Sequence, residues 1–184
     1  MAYPTVQAFV HYGSWDDETR SHPAMKWMED YTKSVVDSKA WQTDTSPLEH
    51  HTPDFHLQRS NGTITQGAEA AWSALAEIYG PFAAHKHDPE FLLTFDVEDG
   101  WRMIGVANVF FKFAGSDGGA ITDPQGEKWD GVSPAAFSFR YVKEGEGIKL
   151  KETKIFSDPS PALKLMLQDG ALDGEHLVGM LKGA

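Results

Sequence analysis

HKHDPEFLLTFDVEDGWRMIGVANVFFKF, residues 85–113, is the stretch whose reading decides the fold. Two alternating segments flank Asp99-Gly100, a dipeptide suited to a type I′ hairpin turn, which needs positive φ at both central residues. A two-residue turn there sets Glu98 opposite Trp101, Val97 opposite Arg102, Phe95 opposite Ile104, Leu93 opposite Val106 and Phe91 opposite Asn108. Successive strand side chains alternate faces. Phe91, Leu93, Phe95, Val97, Ile104, Val106 and Phe110 are therefore expected on the core side. His85, His87 and Asn108 share it unless Pro89 introduces a bulge or a late strand start.

Downstream, residues 114–131 are rich in Gly and Asp and have no period. An irregular stretch of that length is usually functional or mobile, so a surface excursion, a candidate lid, is expected there. Pro134 to Val142 reads as a third long strand, with Phe137, Phe139 and Tyr141 on one face. Glu144 to Gly147 turns it into a fourth, Ile148 to Phe156. A short helix from Ser160 through Gln168 and a weaker helical pattern over Asp173–Lys182 form a tail.

Upstream, residues 1–20 read as an irregular arm. Ser21 and Pro23 open a first helix, in which Ala24, Trp27, Met28, Tyr31 and Val35 recur at helical spacing; it is expected to run to about Trp41. Thr43–Pro53 reads as a loop or one short helical turn. Asp54–Arg59 alternates as a strand, Ser60-Asn61-Gly62 turns it, and Thr63–Thr65 returns as a short partner. Ala68, Ala71, Trp72, Leu75, Ile78 and Tyr79 form the stripe of a second helix, stopped at Gly80-Pro81. Hairpin-linked strands exclude a parallel doubly wound sheet. The expectation is a single α+β domain over 1–184: an arm (1–20), a half-barrel whose curved, mainly antiparallel sheet wraps the N-terminal helices (21–156), and a helical tail (157–184).

Composition narrows the function classes. The 184 residues carry a formal net charge of −11, 41% hydrophobic and 12% aromatic residues, and no cysteine. An acidic chain of this kind argues against a nucleic-acid partner, whose binders show a basic face, and against an anionic membrane surface. Without cysteine there is no disulfide, thiolate nucleophile or thiolate-bound metal. No leader-like apolar run opens the sequence and no segment approaches a membrane span, so a cytoplasmic protein is expected.

The element order resembles the cone-shaped α+β barrel superfamily of nuclear transport factor two, ketosteroid isomerase, scytalone dehydratase and the SnoaL-like polyketide cyclases. Asp37 to Trp41 closing helix one, the Asp54–Arg59 strand, Gly67 opening helix two and the His85-x-His87 pair carry the resemblance, over roughly residues 22–156. Compared with scytalone dehydratase, Asp37 matches the helix-one Asp that points into the pocket, and His85 or His87 matches the pocket histidine before the long hairpin. Val36 stands where that family has tyrosine, and Gly105 is followed by Val106, Ala107 and Asn108 rather than by its second histidine. The ketosteroid isomerases place their base on the strand after helix one, where this chain offers Asp54, His56 and Gln58. An amide cannot abstract a proton, which leaves Asp54 and His56.

The resemblance implies a cofactor-independent isomerase, cyclase or dehydratase acting on a hydrophobic, polyketide- or terpenoid-like small molecule. Candidate acid–base groups are His87, Asp54, Asp37 and His56. A carboxylate in an apolar pocket has its pKa raised, and a neighbouring histidine can exchange a proton with it. Tyr31, Trp72, His85, Phe91, Asn108 and Phe110 are the candidate substrate-binding residues. No metal and no cofactor is expected, because the histidines lack a second ligand block. The alternatives are a non-catalytic carrier of an apolar ligand and a dimeric interaction module, a homodimer whose interface would use Phe137, Phe139 and Tyr141 if they face outward.

Overall fold

A computed structural model describes residues 6–43, 46–170, 172–175 and 178–179. Its elements are β1 (Ala8–Tyr12), α1 (Asp17–Arg20), α2 (Pro23–Tyr31), β2 (His51–Gln58), β3 (Ile64–Gln66), α3 (Ala68–Tyr79), β4 (Ala84–Val97), β5 (Gly100–Lys112), β6 (Ile121–Thr122), β7 (Lys128–Trp129), β8 (Gly131–Glu144), β9 (Gly147–Ser157) and α4 (Ser160–Gln168). Seven strands form one sheet in the order β1-β4-β5-β8-β9-β2-β3, and β6 and β7 pair separately. Every pairing in the large sheet is antiparallel except β2 with β9. The fold is α+β, as expected, with α2 and α3 against the concave face. Met25, Met28 and Tyr31 from α2 and Leu75 from α3 meet Phe55, Leu57, Met103, Tyr141 and Leu150 of the sheet in one buried cluster.

The arm expected to be irregular is largely structured. Ala8–Tyr12 adds an edge strand to β4, with Val10 opposite Leu93 and Tyr12 opposite Phe91. Asp16 then caps α1: its side chain accepts from the Thr19 N–H at 3.0 Å while the Thr19 hydroxyl accepts from the Asp16 N–H. That reciprocal pairing satisfies donors a helix start leaves open. Helix one is also not uniform. The α-helical turn ends at Tyr31, and residues Thr32–Asp37 continue it as a wider π-helical turn. Ser34 and Ser38 donate to the carbonyls four residues back, and such back-bonding bends helices. Lys39, the one non-glycine residue with positive φ among those described, then turns the chain.

The long hairpin is present, but its register differs from the one read from Asp99-Gly100. Val97 pairs with Gly100, Phe95 with Arg102, Leu93 with Ile104 and Phe91 with Val106, so Glu98 and Asp99 are the turn residues. Neither has positive φ, which excludes a type I′ turn. Gly100 is required for another reason: a Cβ there would collide with the carbonyl oxygen of Tyr141 on β8. Between Pro89 and Phe91 the ladder slips by a bulge, which exchanges the faces of everything beyond it. His85, His87 and Pro89 keep the concave side, and past the bulge Leu92 and Thr94 take it over. Met103, Ala107, Val109 and Phe111 face them from β5 and are buried. Ile104 is 44% exposed, and Phe91, Leu93 and Phe95 are half-buried, on the convex side.

Residues 114–131 also have more order than their composition suggests. β6 and β7 form a small hairpin around the buried carboxylate of Asp123, which accepts from Lys86, from the Gln125 and Glu127 N–H groups and from the Trp129 indole. Trp129 covers Phe110 from the convex side. Phe137 and Tyr141 face inward and are buried, with Phe139 packed beside them; they cannot form an outer interface. The 3₁₀ turn Pro47–Glu49 supplies the short helical turn read within Thr43–Pro53, of which residues 44–45 lie outside the described residues. Half of the weak helical pattern over Asp173–Lys182 lies outside them too, as do residues 1–5 of the arm. No helix among the described residues is long and apolar enough to cross a membrane.

Candidate active site

Between the helices and the concave face lies an apolar cavity. Met28, Val36, Phe55, Leu75, Leu92 and Phe137 dominate its wall, and Tyr31, Tyr79 and His87 bring the ring-borne polar groups. Trp15 lines it as well, and its buried indole N–H has no partner. A mostly apolar chamber with a few convergent polar groups is the usual form of a small-molecule site.

The polar groups converge at one end. The π-helical turn delivers Asp37 to the start of β4, where its Oδ1 lies 2.7 Å from His87 Nδ1 and its Oδ2 accepts the His87 backbone N–H at 3.2 Å. An ionised carboxylate only accepts, so Nδ1 of His87 carries a proton, and in the neutral ring Nε2 keeps the lone pair. The Tyr79 hydroxyl, 3.0 Å from Nε2, donates to it. Burial first, and the Asp37 charge second, push the Tyr79 pKa up, so the phenol stays protonated. The result is a chain of three groups, carboxylate, imidazole and phenol, of which His87 and Tyr79 face the cavity and Asp37 stands behind them.

His85 is buried one step further back. Its ring stacks on Tyr79 with centroids 4.5 Å apart and on Trp41 at 6.0 Å. Neither ring nitrogen makes a hydrogen bond of good geometry, although the Val36 carbonyl stands near the ring, and Nε2 lies 3.9 Å from Asp37 Oδ1. Burial, then the neighbouring His87 and Lys39, lower its pKa to about 3 against the opposing Val36 carbonyl, so the ring is neutral. Tyr31 lines the cavity but its hydroxyl is committed to His51 Nε2 at 2.9 Å, while His51 Nδ1 donates to the Pro47 carbonyl.

The other sequence-derived candidates are not brought to this site. Asp54 and His56 alternate with the core residues Phe55 and Leu57 and face outward. Asp54 pairs with Lys151 at 3.4 Å, and His56 with Glu152 at 2.9 Å. Phe91, Asn108 and Phe110 lie on the convex side, because the bulge puts Asn108 opposite Asp88 and out of phase with the cavity; its amide donates to Glu90. Trp72 is buried against His50 and His51 rather than in the cavity wall. Tyr79 was read as ordinary helix stripe. Its place at the last turn of α3, beside the start of the histidine-bearing strand, was the available signal.

No protein-family profile matches the chain, and no curated protein matches its sequence. Solved structures do match. One is a protein from Novosphingobium aromaticivorans provisionally designated a scytalone dehydratase, with TM-score 0.54 and 14% identity over 74% of this chain and 82% of that one. A Shewanella denitrificans protein provisionally designated a SnoaL-like polyketide cyclase gives TM-score 0.54 and 12% identity, covering 80% of this chain and 99% of that one. The hexachlorocyclohexane dehydrochlorinase LinA-type3 of Novosphingobium barchaimii gives TM-score 0.55 and 14% identity over 78% and 91%. The chain thus shares the cone-shaped α+β fold of these solved structures.

Proposed function

We propose that this chain is a cofactor-independent acid–base enzyme that dehydrates, isomerises or cyclises a hydrophobic small molecule of polyketide- or terpenoid-like character. The observation that carries this reading is the hydrogen-bonded order Asp37–His87–Tyr79 at the wall of an otherwise apolar cavity. Titratable groups in such a setting are where acid–base work is placed. Names of structural neighbours, a dehydrochlorinase and a designated cyclase among them, agree with proton abstraction from carbon.

A substrate oxygen entering the cavity competes for the Tyr79 O–H and frees the His87 Nε2 lone pair. His87 then takes a proton from a carbon beside the polarised group, and Asp37 stabilises the imidazolium through Nδ1–H. In a dehydration the C–H electron pair forms the double bond as the C–O bond breaks. The proton on Nε2 goes to the departing hydroxide, releasing water. In an isomerisation the same proton returns to a different carbon. Tyr79 acts as a hydrogen-bond donor rather than a base, because its burial keeps it neutral.

The test is a turnover screen of hydroxylated and enolisable polyketide- and terpenoid-like compounds with wild type, His87→Ala and Asp37→Asn. Turnover lost in both variants supports the reading. Ligands that bind wild type and both variants alike, with no turnover in any, would establish a carrier instead.

A homodimer paired through the convex face forms the second part of this reading. Tyr12, Phe91, Val106, Ala136 and Phe156 are register partners in an unbroken row across β1, β4, β5, β8 and β9. Val10, Leu93 and Ile104 run beside them. Tyr12 is 76% and Phe156 52% exposed, and apolar side chains grouped on one face in this way support an interaction surface there.

A further inference from the structure

We propose that Asp37, His85 and His87 form a site for a divalent transition metal of the zinc class, which switches the acid–base centre off when occupied. One ligand atom from each of the three residues lies within 4.8 Å of the others. Asp37 Oδ1 is 2.7 Å from His87 Nδ1 and 3.9 Å from His85 Nε2. Donors bound tetrahedrally to zinc at about 2.0–2.2 Å stand about 3.3–3.6 Å apart, a spacing these two distances bracket. Two histidines and a carboxylate suit zinc and its neighbours in the first row, and three protein ligands leave a position for water.

A second observation singles out this cluster. The His85 side chain is fully enclosed, and neither ring nitrogen makes a hydrogen bond of good geometry, with the Val36 carbonyl the backbone acceptor near the ring. A buried donor or acceptor left unsatisfied is costly and calls for an explanation. Nothing in the acid–base arrangement uses His85. A metal ion between His85 and Asp37 satisfies the nitrogen facing the carboxylate.

The ion would change the tautomer of His87. Coordination takes the Nδ1 lone pair, so the proton moves to Nε2 and is donated to the Tyr79 oxygen. No proton need leave the protein, yet the base facing the cavity is gone. Asp37 and His85 stand behind the cavity wall, so the ion does not meet a substrate there. Metal binding follows from the geometry alone; its effect on turnover rests on the acid–base reading above. Lys39, whose ammonium binds the Phe82 carbonyl and whose charge reaches His85, opposes the ion.

The experiment is titration of untagged, chelator-treated protein with zinc and with cobalt, read by calorimetry and by the visible absorption of bound cobalt. One ion per chain is expected, weakened at least about tenfold in both His85→Gln and Asp37→Asn and strengthened in Lys39→Met. His11→Gln removes the other His/Asp/Glu grouping among the described residues, His11 with Asp16 and Glu18, and should leave binding unchanged. In wild type, zinc should shift the imidazole ¹⁵N signals of His85 and His87 in step with stoichiometry, a readout independent of whether any variant folds. Absence of binding, or binding lost with His11→Gln and indifferent to His85→Gln, overturns the site. Unchanged turnover at full occupancy overturns the switch alone, whereas turnover in metal-free protein that survives His87→Ala overturns the acid–base reading instead.

Discussion

Asp37 and His87 are fifty residues apart in the chain, yet the carboxylate of one holds both the ring and the backbone N–H of the other. Two bonds from one carboxylate fix the imidazole in position and in tautomer. Asp37→Asn keeps the size but can present an N–H to Nδ1, favouring the wrong tautomer. Turnover should fall by about 10²–10⁴-fold, and ¹⁵N spectra should show the Nδ1–H form of His87 giving way to the other. A variant with wild-type turnover and an unchanged tautomer would remove Asp37 from the mechanism.

Tyr79→Phe removes the hydroxyl that satisfies His87 Nε2 and leaves the stack on His85 in place. A lost partner of this kind costs about 1–3 kcal/mol, which for a chain of this length is a fall in Tm of very roughly 2–12 °C. Turnover should drop with it while apolar ligands still bind. Binding lost as completely as turnover would mean that Tyr79 shapes the cavity rather than donates in it.

Stability should depend on pH through the buried histidines. Burial lowers His51 to about 4, against the opposing Pro47 carbonyl, and lowers His85 to about 3. His22 and His50 shift the same way, again by burial first. Folded pKa values below the unfolded value near 6.5 mean that the unfolded chain takes up protons first as pH falls. Their contribution is therefore full above about pH 6.5 and is lost progressively towards pH 3–4, by up to about 1.4 kcal/mol per pH unit per histidine. Urea unfolding between pH 7 and 5, above the range where carboxylates titrate, isolates the effect. A flat midpoint over that interval would contradict it, and His51→Gln should reduce the slope.

Gly100→Ala tests why the hairpin needs its glycine. A methyl group there meets the Tyr141 carbonyl, so the strands must separate at a cost of about 1–3 kcal/mol or more. The urea midpoint should fall accordingly. A neutral substitution would show that β5 and β8 do not approach as closely as described.

Ile104→Lys with Phe156→Lys places two charges on the convex apolar rows without touching the cavity. Light scattering should report a dimer for wild type and a monomer for the double variant, with circular dichroism unchanged. A monomeric wild type would dismiss the interface.

The helices and the long hairpin were legible because periodicity survives tertiary context: Met28 and Tyr31, or Leu75 and Tyr79, are buried where their spacing put them. The faces of the hairpin were not, because one bulged residue at Glu90 inverts a period of two, and proline only hints at it. Asp37 and His87 could be named from resemblance, but their contact depends on the π-helical widening over Thr32–Asp37, which Ser34 and Ser38 do not announce. Asp99-Gly100 misled for a physical reason. Its glycine serves the neighbouring strand rather than the turn, and composition cannot tell those uses apart.

β2 reaches its place in the sheet by pairing in parallel with β9, His56 opposite Glu152 across 96 residues. Leu57 and Phe55, which wall the cavity beside Thr153 and Ile155, therefore have no neighbour on that side until β9 exists. During synthesis Asp37, Tyr79 and His87 emerge well before the strand that encloses them. The chamber closes late, by a contact of high sequence separation, which is the slow kind to form. Chains halted before Gly147 would then expose the apolar lining with Asp37, Tyr79 and His87 already made, which makes the last strand the step that separates a folded chain from an aggregating intermediate.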